Sequence, residues 1–177
     1  MKKLILIAVL ALPVFLYGQK EVDQKPASNA DKFSDKTGTL IQKEYDPIGE
    51  VAKCKIQVVT FKDLLDGHKI TAIQFEFEHH ASYGSETKLA VLDADEVDGF
   101  MASIRIIRER VMPVVAAKYT EVSFKSRSGF MAGCFSKKDK WSGYMKLSQY
   151  DSNSFVFFEE GDFNKLYALL QAAKAKL

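Results

Sequence analysis

The chain carries no glycine-rich loop of the phosphate-cradling kind, no nucleophile elbow and no closely spaced cysteine pair. Its motifs therefore assign no nucleotide site, no serine-hydrolase centre and no zinc site, and no catalytic residue, metal ligand set or cofactor is expected on that basis. No apolar run reaches the roughly 20 residues of a membrane span. The one long uncharged stretch follows Lys2 and Lys3, is interrupted by Pro13 and stops before Lys20. That layout is a secretory signal peptide, with cleavage expected after Gly18. No cysteine stands near the cleavage point, so a lipid anchor is not expected. The mature chain is expected in the periplasm or outside the cell, without a transmembrane segment.

An excess of positive charge is also missing. The full sequence has 25 Lys and Arg against 23 Asp and Glu, and removing Lys2 and Lys3 with the signal leaves 23 of each. A nucleic-acid binder neutralises phosphates with surplus cations, so zero net charge argues against nucleic acid as a partner. Cysteine is scarce, with only Cys54 and Cys134. Each lies on the apolar side of an expected strand, where a disulfide and a buried free thiol fit equally well. Large apolar residues are nearly absent from Gln19 to Thr37, which holds only Val22 and Phe33. Such a segment buries too little surface to offset its ordering entropy, so residues 19–37 are expected to be a flexible leader.

What remains, residues 38–177, is long enough for one domain with a substantial core. Its dominant signal is alternation. In KITAIQFEFEH, Ile73, Phe75 and Phe77 alternate with Gln74, Glu76 and Glu78, as in a strand with one buried face. Similar runs at TLIQKEY, CKIQVVTF, TKLAVL, TEVSFK, GFMAGCF, WSGYMKL and NSFVFF bring the expected strands to about eight. Two segments switch to helical spacing: Val97, Phe100, Met101, Ile104, Ile107 and Val111, and then Phe163, Leu166, Tyr167, Leu170 and Ala173.

The two strand-to-helix transitions superpose without a gap. TKLAVLDADEVDGFMASI lies over NSFVFFEEGDFNKLYALL, with Asp93 over Glu159, Glu96 over Asp162 and Phe100 over Leu166. The expected fold is α+β, with two tandem ββββα repeats (about residues 38–115 and 116–177), antiparallel sheets and a pseudo-twofold relation. Each repeat has an apolar sheet face and an apolar helix face that are best buried against its twin.

On these duplicated stretches the chain resembles the whirly family of single-stranded DNA-binding proteins, over roughly residues 38–177. The resemblance implies four strands and a helix, used twice, and single-strand binding through a lysine- and glycine-rich strand motif. The corresponding stretch here reads KDLLDGHKITAI and departs from that motif.

Three clusters of polar residues are candidate sites. Asp93, Asp95, Glu96 and Asp98 fail the spacing of a calcium loop, whose fifth and twelfth positions would be Val97 and Ile104. They stand where a helix dipole favours negative charge, and Asp93 with Glu96, like Glu159 with Asp162, has capping-box spacing. Glu76, Glu78 and His80 share one side of a strand. Spread over about 13 Å, the three cannot converge on one ion, although two of them with a residue from elsewhere can line a pocket. The third cluster is the basic, aromatic hairpin FKSRSGFMAGCFSKKDKW, carrying Lys125, Arg127, Lys137, Lys138, Lys140 and Trp141. Cations beside an aromatic ring can stack on or pair with a ligand.

The function expected from these residues is a non-enzymatic, exported binding domain for a protein, a glycan or an envelope component, with the basic hairpin as its leading surface. The alternative is a small-ligand binder or hydrolase with a pocket between the repeats. Single-strand binding follows only from the resemblance.

Overall fold

The computed structural model describes residues 27–82, 84–138 and 140–177. The expected signal, residues 1–18, and the leader as far as residue 26 lie outside the described residues. In chain order the elements are helix α1 (Asn29–Ser34), strands β1 (Ile41–Val51), β2 (Cys54–Asp63), β3 (Lys69–Ala81) and β4 (Gly84–Asp93), and helix α2 (Val97–Ile106). Strands β5 (Glu121–Lys125), β6 (Met131–Lys137), β7 (Lys140–Lys146) and β8 (Phe155–Phe158) follow, then helix α3 (Glu160–Lys174). Strands β1 to β4 form one antiparallel meander, sheet A, and β5 to β8 form a second, sheet B. The fold is α+β and consistent with two tandem ββββα repeats.

Both sheets turn their apolar residues to a shared core. Ile56 and Val58 on β2, Ile73 and Phe75 on β3, and Ala132, Cys134 and Met145 of sheet B meet the two long helices there. The duplicated helix positions are buried in pairs: Val97 with Phe163, Phe100 with Leu166, Ile104 with Leu170, none more than 1% exposed. Phe130 ties the repeats together, stacking on Phe75 of sheet A at 4.5 Å and meeting Phe100 of α2 edge-on at 5.5 Å. Gly143 passes close to this core: a Cβ there would lie 2.6 Å from Phe158 and 2.7 Å from Phe163. Among the described residues, no helix is long and apolar enough to cross a membrane.

Residues 27–37 depart from the expected flexible leader. Asn29–Ser34 is helical, opened by a capping box between Ser28 and Asp31. Ala30 and Phe33 are buried on the outer face of sheet A with Val59, Phe61 and Ala72. Two apolar side chains suffice because the helix is also held through its backbone by a distant carboxylate, Asp93.

Cys54 and Cys134 are free and buried in the shared core, so the bridge that their positions left open is not formed. Burial pushes the Cys54 thiol up to about 12 and the Cys134 thiol up to about 11. Both stay protonated at neutral pH and lack the thiolate that reactivity requires.

Candidate functional site

The acidic cluster after β4 is a junction. The buried Asp93 carboxylate accepts hydrogen bonds from the backbone N–H groups of Asn29 (2.7 Å) and Ala30 (3.1 Å). Asp93 therefore satisfies the open N-terminus of α1, whereas at its own helix it makes no side-chain cap. The capping box expected at both repeats is found only at Glu159 and Asp162. The oxygens of Asp93, Asp95 and Glu96 lie within 4.8 Å of one another, close enough to hold a cation. The cation they hold is the Arg127 guanidinium, which pairs with Asp93 and bonds Asp95 at 2.8 Å, while the Arg127 backbone N–H donates to Glu96 at 2.7 Å. Arg127, expected to be part of a binding hairpin, instead joins the second repeat to the first. A compact point charge would not match this set of bonds as a planar, forked guanidinium does.

A second junction lies farther along β4. Lys88 is buried and pairs with Glu86 and with Asp151 in the loop between β7 and β8. Hydrogen bonds from Arg127 and Lys88 hold the carboxyls of Asp95 and Asp151 below their ordinary values. A carboxyl with a depressed folded value stabilises the fold above its unfolded value, near 3.9, and that contribution disappears as pH falls through the folded value. The midpoint of thermal unfolding is therefore expected to stay level down to about pH 5 and to fall below about pH 4. The Asp95→Asn, Asp151→Asn double variant should show a shallower acid decline, measurable by scanning calorimetry.

Glu76, Glu78 and His80 line neither of the two concavities described below. Glu76 bonds Lys55 at 2.9 Å across the adjacent strand, and the exposed His80 contacts Ser85 at 2.7 Å and Glu78 at 3.9 Å. They form a solvated strand face with local partners. Trp141 also leaves the proposed hairpin surface: it packs against the shared core and its indole N–H donates to the Val114 carbonyl at 2.8 Å.

The remaining hairpin lysines frame a surface made by the outer face of sheet B. On β6, β7 and β8, Phe135, Tyr144, Phe155 and Phe157 point away from the core, alternating with Cys134, Met145, Val156 and Phe158. Their rings touch one another. Phe155 and Phe157 are parallel within 2° at 5.4 Å, Phe157 meets Phe135 edge-on at 6.2 Å, and Tyr144 tilts onto Phe155 at 5.7 Å. Phe157 is 60% exposed. Tyr119 and Glu121, hydrogen-bonded to each other, border the rings, and the Lys146 ammonium sits 4.9 Å above Phe155. Lys125 pairs in register with Met131, which in turn pairs with Lys146, so these two lysines stand at one end of the sheet. Lys137, Lys138 and Lys140 stand at the other, where Lys137 pairs with Lys140. The seven residues of β6 put the two groups about 20 Å apart. The sequence singled out Lys125, Lys137, Lys138 and Lys140 but neither Lys146 nor the rings between them. The available signal was FVFF, which is apolar on both faces although only one face can point to a core that also serves the helices.

A second concavity, a cleft of about 320 Å3, lies between α1, the outer face of sheet A and the loop joining β7 to β8. Phe61, Gln74, Leu89 and Val91 form its floor, and Tyr45 and Tyr150 are exposed at its edge. It is lined by residues of both repeats and by none of Glu76, Glu78 and His80.

Comparison of the chain with protein-family models, with curated proteins and with solved structures finds no match. The functional reading therefore rests on these two concavities and their chemistry.

Proposed function

We propose that the protein is an exported, non-enzymatic binding module that holds an acidic glycan on the outer face of sheet B. The observation that carries this reading is the outer aromatic surface of sheet B, where Phe157 is exposed, Phe135 and Phe155 are partly exposed and Tyr144 is buried between them, framed by Lys125 and Lys146 at one end and Lys137, Lys138 and Lys140 at the other. Pyranose rings present flat C–H faces that pack on aromatic rings, and their carboxylates or sulfates pair with lysine ammonium groups. The Glu121 carboxylate and the Tyr119 hydroxyl at the border offer hydrogen-bonding groups to sugar hydroxyls.

Size supports a glycan over a folded partner. Four strands of four to seven residues, spaced about 4.8 Å apart, make a face of about 400 Å2. A stable protein interface covers about 800 Å2 per partner. Charge supports it over a nucleic acid, because single-strand binders line a continuous backbone track with cations, whereas here the cations stand at two ends and Glu121 lies between them. The export-type N-terminal segment supports the same reading.

The test is isothermal titration with hexagalacturonate, alongside cellohexaose and an eight-nucleotide deoxythymidine strand. Hexagalacturonate is expected to bind, more weakly at high salt, and the Phe155→Ala, Phe157→Ala double variant to lose at least tenfold in affinity, since it removes the exposed Phe157 ring and its parallel neighbour. Hexagalacturonate that fails to bind, or that binds the double variant equally well, overturns the proposal. Tighter binding of the deoxythymidine strand, lost in the same variant, replaces the glycan with a nucleic acid.

A further inference from the structure

The connection from α2 to β5 turns apolar side chains outward. Val114 is 60% exposed and Val115 69%, and Pro113 and Ala117 beside them are exposed too. The connection is nonetheless fixed in place. The Val114 carbonyl accepts from the Trp141 indole N–H at 2.8 Å, and the Val114 backbone N–H donates to the Val111 carbonyl at 3.1 Å. The Ser136 hydroxyl donates to the Lys118 carbonyl at 3.1 Å and accepts from the Thr120 N–H at 2.9 Å. The Ser136 N–H donates to the Thr120 carbonyl at 2.9 Å. Two adjacent valines are thus held toward solvent by bonds that tie their segment to the β6–β7 hairpin.

The same bonds bring lysines to the valines. Ser136 and Trp141 face each other in register, one pair before Lys137 and Lys140, and Lys138 stands in the turn with a φ of 50°. Lys118, Lys137, Lys138 and Lys140 are all exposed. One acid, Asp139, falls among these four cations in the sequence, whereas the whole chain is nearly balanced at 25 basic and 23 acidic side chains. The Glu121 carboxylate, next along the chain, accepts a hydrogen bond from the Tyr119 hydroxyl. Apolar surface and positive charge therefore coincide at one end of the molecule. The combination is unlike a protein interface, where lysine is depleted and valine seldom anchors binding. It matches a lipid surface, into which aliphatic side chains enter while lysine stems lie along the apolar layer and their ammonium groups stay among the headgroups.

We propose that this end of the molecule docks on an anionic bilayer: Val114 and Val115 enter the boundary between headgroups and acyl chains, and Lys118, Lys137, Lys138 and Lys140 pair with lipid phosphates. The backbone N–H and carbonyl of Val114 are already bonded, so the valine enters an apolar layer without leaving either group unpaired. Each lysine near an anionic surface strengthens partitioning about fivefold, an attraction that salt screens. The surface does not rest on the glycan reading. Lys137, Lys138 and Lys140 border both surfaces, but neither valine lines the aromatic face of sheet B.

The experiment is co-flotation of the exported chain, without residues 1–18, with vesicles of phosphatidylcholine alone and of phosphatidylcholine mixed with phosphatidylglycerol. Binding is expected to the mixed vesicles, at least tenfold stronger than to phosphatidylcholine, weakened by salt and unaffected by free glycerol phosphate. Val114→Ser with Val115→Ser should lower partitioning at least tenfold, and Lys118→Glu severalfold. The valines are exposed, so their variant should melt like the wild type. Phe155→Ala with Phe157→Ala should leave vesicle binding intact, and the valine variant should keep its affinity for hexagalacturonate, so the two readings stand or fall separately. Absence of binding to the mixed vesicles, equal binding by the valine variant, or loss of binding in the phenylalanine variant overturns the proposal. Competition by glycerol phosphate would make the site one for free phosphate and overturn the bilayer. Dimerisation that the valine variant loses, without vesicle binding, would put a second copy of the chain in the bilayer's place.

Discussion

Replacing Phe130 by alanine is expected to lower the unfolding free energy by about 3–5 kcal/mol, the range for truncating a buried aromatic ring. Phe130 is fully buried at the base of the turn between β5 and β6. With Phe124 it is the second repeat's contribution to a four-ring cluster completed by Phe75 and Phe100 of the first. Removing it takes away the stacked contact with sheet A and the edge contact with α2 together. The remaining rings are anchored on three different elements, so the space cannot close without moving one repeat against the other. Chemical denaturation followed by circular dichroism reads the loss as a lower midpoint. A single transition with an unchanged slope is expected, because the two repeats share one core and unfold together. Two separated transitions in the wild-type chain would show that the repeats are independent units.

Replacing Asp93 by alanine is expected to free α1 from sheet A. The carboxylate satisfies two of the backbone N–H groups that every helix start leaves open, and a hydrogen bond to a charged acceptor contributes about 1.5–3 kcal/mol. The same change deprives Arg127 of its most buried partner. Amide hydrogen exchange across residues 29–34 should quicken at least tenfold, while β2 and β3 keep most of their protection. Asp95→Ala is the contrast. Its side chain is 60% exposed and bonds Arg127 at 2.8 and 3.3 Å without a hydrogen bond to α1, so exchange in α1 should stay close to wild type. Wild-type exchange across α1 in the Asp93→Ala variant would mean that burial of Ala30 and Phe33 holds the helix without the carboxylate.

The same residues show where sequence reasoning succeeds and where it stops. The strands were legible because alternation of apolar and polar residues, or in FVFF a short apolar run, is written locally, and the duplication was legible because Val97, Phe100 and Ile104 recur as Phe163, Leu166 and Leu170. Helix α1 was not legible. Its decisive bonds run from Asn29 and Ala30 to a carboxylate more than 60 residues away, and only Ala30 and Phe33 carry an apolar signal. The basic hairpin was half legible. Its cations were visible as a cluster, but Arg127 lies at the acidic junction and Trp141 packs against the edge of the core, because partners for both come from distant segments. The aromatic face was obscured by its own composition. FVFF, apolar at every position, does not say which of its residues face outward until β7 is laid beside it, with Tyr144 opposite Phe157.

The account turns on where a ligand touches the molecule, and a backbone-amide NMR titration with hexagalacturonate reports that directly. The predicted result is a set of shifts confined to sheet B and its border, centred on Glu121, Phe135, Tyr144, Lys146, Phe155 and Phe157, with Glu76, Glu78 and His80 unmoved. Shifts centred on those last three residues, or no shifts at saturating ligand, would contradict it.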